Sequence, residues 1–193
     1  MNRRLLTIAL SAALAAGGMF VTTDSALAGK KKGDADKMEH KYEMGAPVEL
    51  QALNFLEGSW DINETLTHDG ETTEQSATAT YRVVLDGSGI EGTYIGKMGE
   101  NDVEEFTLLT FNRKTQSFEM VAANNLWPML HVFGEGTFED GKLTLLAHKT
   151  KGDKEVHMRR TVERVSDDSF TAVNEFDKGE GWTVWATETY TRR

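Results

Sequence analysis

Cysteine is absent from all 193 residues. Its absence excludes disulfides, thiolate nucleophiles, cysteine-based zinc sites and a lipid anchor on an N-terminal cysteine. Signatures of catalysis are missing too: no phosphate-cradling glycine loop precedes a helical segment, and no Gly-x-Ser-x-Gly elbow occurs. Positive charge is scarce, with 21 Lys and Arg facing 31 Asp and Glu for a formal net charge of −10. Nucleic acids and anionic lipid surfaces are both bound through excess basic charge, so neither suits this chain as a partner. After Gly58 no stretch sustains helical periodicity. A parallel sheet, which needs long and usually helical crossovers, is thereby ruled out.

The N-terminal residues carry a compartment signal. Arg3 and Arg4 precede an apolar run from Leu5 to Val21, broken only by Thr7, Ser11, Gly17 and Gly18, and Ala26-Leu27-Ala28 follows before Gly29. Charge, apolar core and small-x-small in this order are the marks of a secretory signal, with cleavage expected after Ala28. The run is shorter than the about 20 apolar residues of a stable span, so no lasting membrane insertion is expected. The mature protein is expected to be periplasmic or secreted. Cleavage takes Arg3, Arg4 and Asp24 with it, leaving the remainder more acidic still. Residues 29–48, with Lys30, Lys31 and Lys32 and few large apolar groups, read as a disordered polar tether. Residues 49–193 are left as one domain.

Leu50, Leu53, Phe55 and Leu56 predict a short amphipathic helix or turn ending at Gly58. Beyond it, strand-like runs rich in Thr, Val, Tyr, Phe and Trp alternate with turn signals such as Asp69-Gly70, Asp86-Gly87, Asp140-Gly141 and Asp177 to Gly181. About ten strands at regular spacing predict an all-β fold, a single antiparallel up-and-down barrel with the short helix capping its base.

Two hairpins can be phased from sequence. With Gly152-Asp153 as a two-residue turn, Leu143, Leu145, Ala147, Val156, Met158 and Val162 share one face, taken as the core. His148 and His157 then oppose one another on the outer face. Two imidazoles without a third ligand are too few for a metal site, so a solvated pair is expected there, with no metal and no cofactor. Arg160 is the misfit on the core face. With Ser166 to Ser169 as a four-residue loop, Glu175 is expected opposite it. That pair serves either as a structural ion pair or as a polar anchor for a ligand's carboxylate or carbonyl. His131, following Trp127, Pro128, Met129 and Leu130, is placed near the barrel mouth. The ligand-contacting set is expected to be Tyr94, Trp127, His131, Arg160, Glu175 and Trp185, with the phase of Trp182 and Trp185 left open.

Gly58-Ser59-Trp60 resembles the Gly-x-Trp opening of lipocalins and other calycin barrels, in which the Trp closes the barrel base, often against an Arg of the last strand. The resemblance implies that Gly58, Trp60 and Arg192 close this barrel. Leu56 to Trp60, Asp86 to Gly92, Phe111 to Phe118, Asn125 to Pro128, Gly134-Glu135-Gly136 and Tyr190-Thr191-Arg192, taken in that order and spacing, resemble a bacterial family described only as a domain of unknown function with a lipocalin-like barrel. A more distant similarity reaches haem-binding ten-stranded barrels, whose Gly-x-Trp-x-Gly-x-Gly opening is missing here, since Asp61-Ile62-Asn63 follows Trp60.

The function expected from this architecture is non-enzymatic carriage or sensing of a small, mostly apolar molecule inside the barrel. Alternatives are an enzyme in which Arg160 polarises a carbonyl while Glu175 or His131 moves a proton, a haem barrel with His131 as axial ligand, and an envelope interaction module using a strand edge or the Lys30–Lys32 tether.

Overall fold

In the computed structural model the described residues are 45–193, apart from Pro128, Gly152 and Asp153 and the side chains of residues 149–151 and 154. The expected signal peptide and nearly all of the tether lie outside them.

A one-turn helix, α1 (Val48–Gln51), and a 3-10 turn (Asn54–Leu56) lead into ten strands. These are β1 (Gly58–His68), β2 (Glu71–Val84), β3 (Gly89–Met98), β4 (Asn101–Asn112), β5 (Ser117–Asn124), β6 (His131–Glu139), β7 (Lys142–Lys151), β8 (Lys154–Arg164), β9 (Ser169–Asp177) and β10 (Thr183–Arg192). Every strand pairs antiparallel with its neighbour in sequence, and β1 pairs with β10 to close the barrel.

Turn chemistry explains much of this order. Asp69-Gly70 and Asp140-Gly141 both hold positive φ at the two central positions, and His68 opposes Glu71 as Glu139 opposes Lys142. That is the primed two-residue turn whose twist matches a hairpin. The β7–β8 register follows the phasing read from sequence, with Leu143 opposite Val162 and His148 opposite His157.

The β8–β9 register does not. The last β8–β9 pair is Arg164 with Phe170, which leaves Val165 to Ser169 between them, and the Val165 N–H donates to the Ser169 carbonyl at 3.0 Å. Arg160 therefore opposes Asn174 instead of Glu175. Side chains alternate with period two, so this one-residue shift sends Glu175 to the outer wall, where it faces Arg159.

One end of the barrel is sealed. Leu50, Leu53 and Leu56 are buried there against Trp60 and Phe170. The Trp60 indole N–H donates to the Leu56 carbonyl at 2.8 Å, and its ring meets Phe170 edge-on at 4.7 Å. The Arg192 guanidinium lies 4.3 Å over Trp60 and donates to the Glu57 carbonyl at 2.8 Å and the Phe55 carbonyl at 3.2 Å. Gly58 sits at φ +131°, and any Cβ there would collide with Arg192 Nη1. Glycine is what lets the chain turn into β1 beneath that guanidinium.

Candidate functional site

Along β1 the inward side chains run Trp60, Ile62, Glu64, Leu66, the first three buried and Leu66 half-buried. Apolar plug gives way to polar groups at mid-height, and those in turn to a looser rim. The side chains that could meet a ligand are the ones at this transition.

The lower polar tier is a closed cluster. Arg160 from β8 grips Glu188 from β10 with two parallel bonds, Nη1 to Oε1 at 2.9 Å and Nη2 to Oε2 at 2.8 Å. Its Nη1 also donates to Asn174 Oδ1 at 2.8 Å and its Nη2 to the Tyr190 hydroxyl at 3.1 Å. Glu188 further accepts from Asn174 Nδ2 at 2.6 Å and from the Tyr190 hydroxyl at 2.5 Å. Burial by itself would push the Glu188 carboxyl up, but the adjoining Arg160 charge and these hydrogen bonds outweigh it and hold it below its ordinary range. Burial disfavours the Arg160 charge, yet Glu188 keeps its pKa well above the usual value. Tyr81 and Tyr190 are both raised, burial being the main cause. This tier is a buried ion pair with its hydrogen-bonding capacity almost fully taken.

The upper tier is a shelf with capacity to spare. Glu64 accepts from Gln75 Nε2 at 2.5 Å and from the Tyr94 hydroxyl at 3.0 Å, both through Oε2, while Gln75 also donates to the Lys97 carbonyl at 2.6 Å. Glu105, opposite both Tyr94 on β3 and Asn124 on β5, accepts from Asn124 Nδ2 at 3.2 Å. Burial raises Glu64 above the ordinary carboxylate range despite the Gln75 bond, and the nearby Glu188 charge adds to the rise. Burial raises Glu105 likewise, outweighing Asn124 and Arg160. The Tyr94 hydroxyl is driven far up by burial and by Glu64. A carboxyl in this condition can donate when protonated and accept when ionised, which suits it to polar ligand groups.

Small residues make room for these groups. A Cβ at Gly92 would strike the Tyr81 ring, and one at Gly96 the Tyr94 ring and hydroxyl. Ala172 and Ala186, buried opposite Glu188 and Asn174, leave space beside the lower tier.

The residues expected from sequence distribute unevenly. Tyr94 stands on the shelf and Arg160 in the closed cluster. His131 opens β6 directly opposite Ala122, sharing its inward face at the rim. Glu175 is a correction: it lies on the outer wall, bonded to Arg159 Nε at 2.6 Å and Nη2 at 2.9 Å, so it neither partners Arg160 nor faces the interior. Trp127 belongs to the β5–β6 loop and is 43% exposed. Trp185 is the extra, half-buried residue of a bulge between Val184 and Ala186, while Trp182 lies under Arg159 at 4.3 Å. The enzymatic alternative loses its polarising group, because Arg160 spends its donors on Glu188, Asn174 and Tyr190.

Glu64, Gln75, Glu105, Asn174 and Glu188 are absent from the expected set. Glu188 had a signal: Thr187, Thr189 and Thr191 alternate with Ala186, Glu188 and Tyr190, which puts the glutamate on the apolar face.

A polar depression also indents the outer wall, lined among others by Asn63, Thr65, Ser76 and Thr189. Glu64 and Gln75 of the shelf also line it, and its polar lining offers no aromatic surface against which a small molecule would be buried.

Two solved structures are similar to this chain. Rv2717c from M. tuberculosis aligns with a TM-score of 0.55 at 16% identity, over 77% of this chain and 99% of that one. The S-type phycobiliprotein lyase CPES from Guillardia theta aligns with a TM-score of 0.49 at 14% identity, over 78% of this chain and 94% of that one. At 16% identity the likeness to Rv2717c concerns fold alone. No curated protein matches the sequence significantly. The model of one family, described as a protein of unknown function (DUF1579), matches residues 48–193 and so takes in α1 and all ten strands; the chain belongs to the DUF1579 family.

Proposed function

We propose that this protein is an exported carrier or sensor that takes a small molecule through the open end of the barrel. The ligand's apolar body packs against the rim and its polar head rests on the Glu64–Tyr94–Glu105 shelf. The observation that carries this reading is the half-buried shelf. Burial raises its two carboxyls above their ordinary range without a bonded cation to neutralise them, and among the described residues Glu64 receives its hydrogen bonds through Oε2 alone, which leaves Oε1 able to accept from a ligand. Inward Leu66 on β1 and Met158 opposite Phe176 on β8 and β9 add apolar surface toward the mouth. The exported setting rests on Arg3-Arg4, the apolar run and Ala26-Leu27-Ala28.

Native mass spectrometry of protein purified from its own host tests the reading. A co-purifying small molecule, released by unfolding and diminished in Ala147→Trp, which blocks the interior, is the expected result. An empty barrel that also fails to bind a fluorescent fatty-acid probe overturns it.

A further inference from the structure

We infer that the outer wall of the β7–β8 hairpin carries a divalent transition-metal site, made by His148, His157 and Glu155 with Glu135 beside it. This site is independent of whatever the interior holds. His148 and His157 are directly opposed across the two strands, and their Nδ1 atoms lie 2.6 Å apart. Glu155 precedes His157 by two residues, so both project from the same face of β8. Its carboxylate lies 3.9 Å from His157 Nε2, and one ligand atom from each of the three residues falls within 4.8 Å of the others. Glu135 reaches in from β6, where it opposes Leu146 on the outer wall, and places its carboxylate 3.7 Å from His148 Nε2.

The chemistry of this set is that of a borderline metal ion. Imidazole nitrogens with a carboxylate suit Zn2+, Cu2+ and Ni2+ and exclude Ca2+ and Mg2+, which want oxygen throughout. An ion at about 2.0–2.1 Å from each nitrogen requires the two Nδ1 atoms to stand roughly 3.3 Å apart. The rings need to open by well under 1 Å from their present contact, a small rotation for side chains on an outer wall. With both rings as the Nε2–H tautomer, each Nδ1 offers its lone pair to the same point, and Glu155 completes the set by turning its exposed carboxylate from His157 Nε2 toward that point. The Nε2–H of His148 then faces Glu135, the outer carboxylate that orients so many ligating histidines. The two glutamates offset the charge of the ion. Asp177 opposes His157 from β9 and adds negative charge beside the site, its Oδ1 accepting the Gly179 and Gly181 N–H groups at 2.7 and 2.9 Å.

The test uses the full chain, produced without a polyhistidine tag and stripped with chelator. Calorimetric titration with Zn2+ is expected to show one ion per chain. Cu2+ loaded at one equivalent is expected to give an electron paramagnetic resonance spectrum with two nitrogen donors. His148→Gln and His157→Gln should each weaken Zn2+ binding by about tenfold or more and remove one nitrogen from the Cu2+ spectrum. Glu155→Gln should weaken binding while keeping both nitrogens, which separates loss of a ligand from loss of the hairpin. His68→Gln, at the end of β1, should change nothing. Unchanged affinity in both single histidine variants, or fewer than two nitrogens in the wild-type spectrum, overturns the site.

Discussion

Arg159 and Arg160 follow one another along β8, each in bidentate contact with a glutamate, yet the barrel wall separates them. Arg159 lies outside with Glu175, its side chain 31% exposed and its guanidinium over Trp182. Arg160 points inward to Glu188, with Asn174 and Tyr190 completing the hydrogen bonds. The chemical groups are the same, but their surroundings set very different energetic weights. An outer pair gains little over its hydration, whereas an inner pair is tolerable only while both members and their hydrogen-bonding partners remain.

Breaking the inner pair is expected to have the largest effect. Arg160→Met strands the Glu188 carboxylate and should destabilise by about 3–5 kcal/mol in denaturant melts, while adding Glu188→Leu should recover much of that loss. Losses that simply add in the double variant would show that the two side chains are not coupled. Outside, Arg159→Met and Glu175→Leu should each cost about 1 kcal/mol or less and couple weakly. A coupling there as large as that of the inner pair would abolish the distinction.

The smallest effect belongs to the shelf, and its sign is opposite. Glu64 holds its proton more tightly folded than unfolded. It therefore supports the fold at acid pH and weakens it as pH rises through its raised value. Glu64→Gln should melt with the wild type at about pH 4 and slightly above it at about pH 8, by less than about 1 kcal/mol. Glu188, held low by Arg160, behaves in reverse: its contribution is present above the ordinary carboxylate range and is lost only as strong acid protonates it. A Glu64→Gln variant less stable than wild type at pH 8 would mean that the shelf is held together by its own charge.

The contrast between the two arginines also shows what sequence makes legible. The strand count, the base helix and the β7–β8 register follow from residues that act locally: Asp69-Gly70 and Asp140-Gly141 dictate their turns, and Leu143, Leu145 and Ala147 alternate cleanly. That Arg160 points inward was legible for the same reason. Its partner was not, because the length of the β8–β9 connection depends on hydrogen bonds between Val165 and Ser169 that no single residue announces. The bulge at Trp185 breaks the alternation at the start of β10, which hides Glu188 from any phasing begun at Trp182. Glu64 and Glu105 become neighbours of Tyr94 only through pairing across β1 to β4. The metal trio shows the same division: the histidine pair is a local matter of one hairpin, while Glu135 enters from a third strand.

Nine of the ten strand pairings join segments consecutive along the chain, and one, β1 with β10, joins segments more than a hundred residues apart. Loop-closure entropy opposes that last pairing far more than the others, so hairpins can zip in succession and the seam forms late. The Trp60–Arg192 clasp stands on this seam. A contact that forms only with the seam is expected to slow opening of the finished cylinder more than it speeds folding.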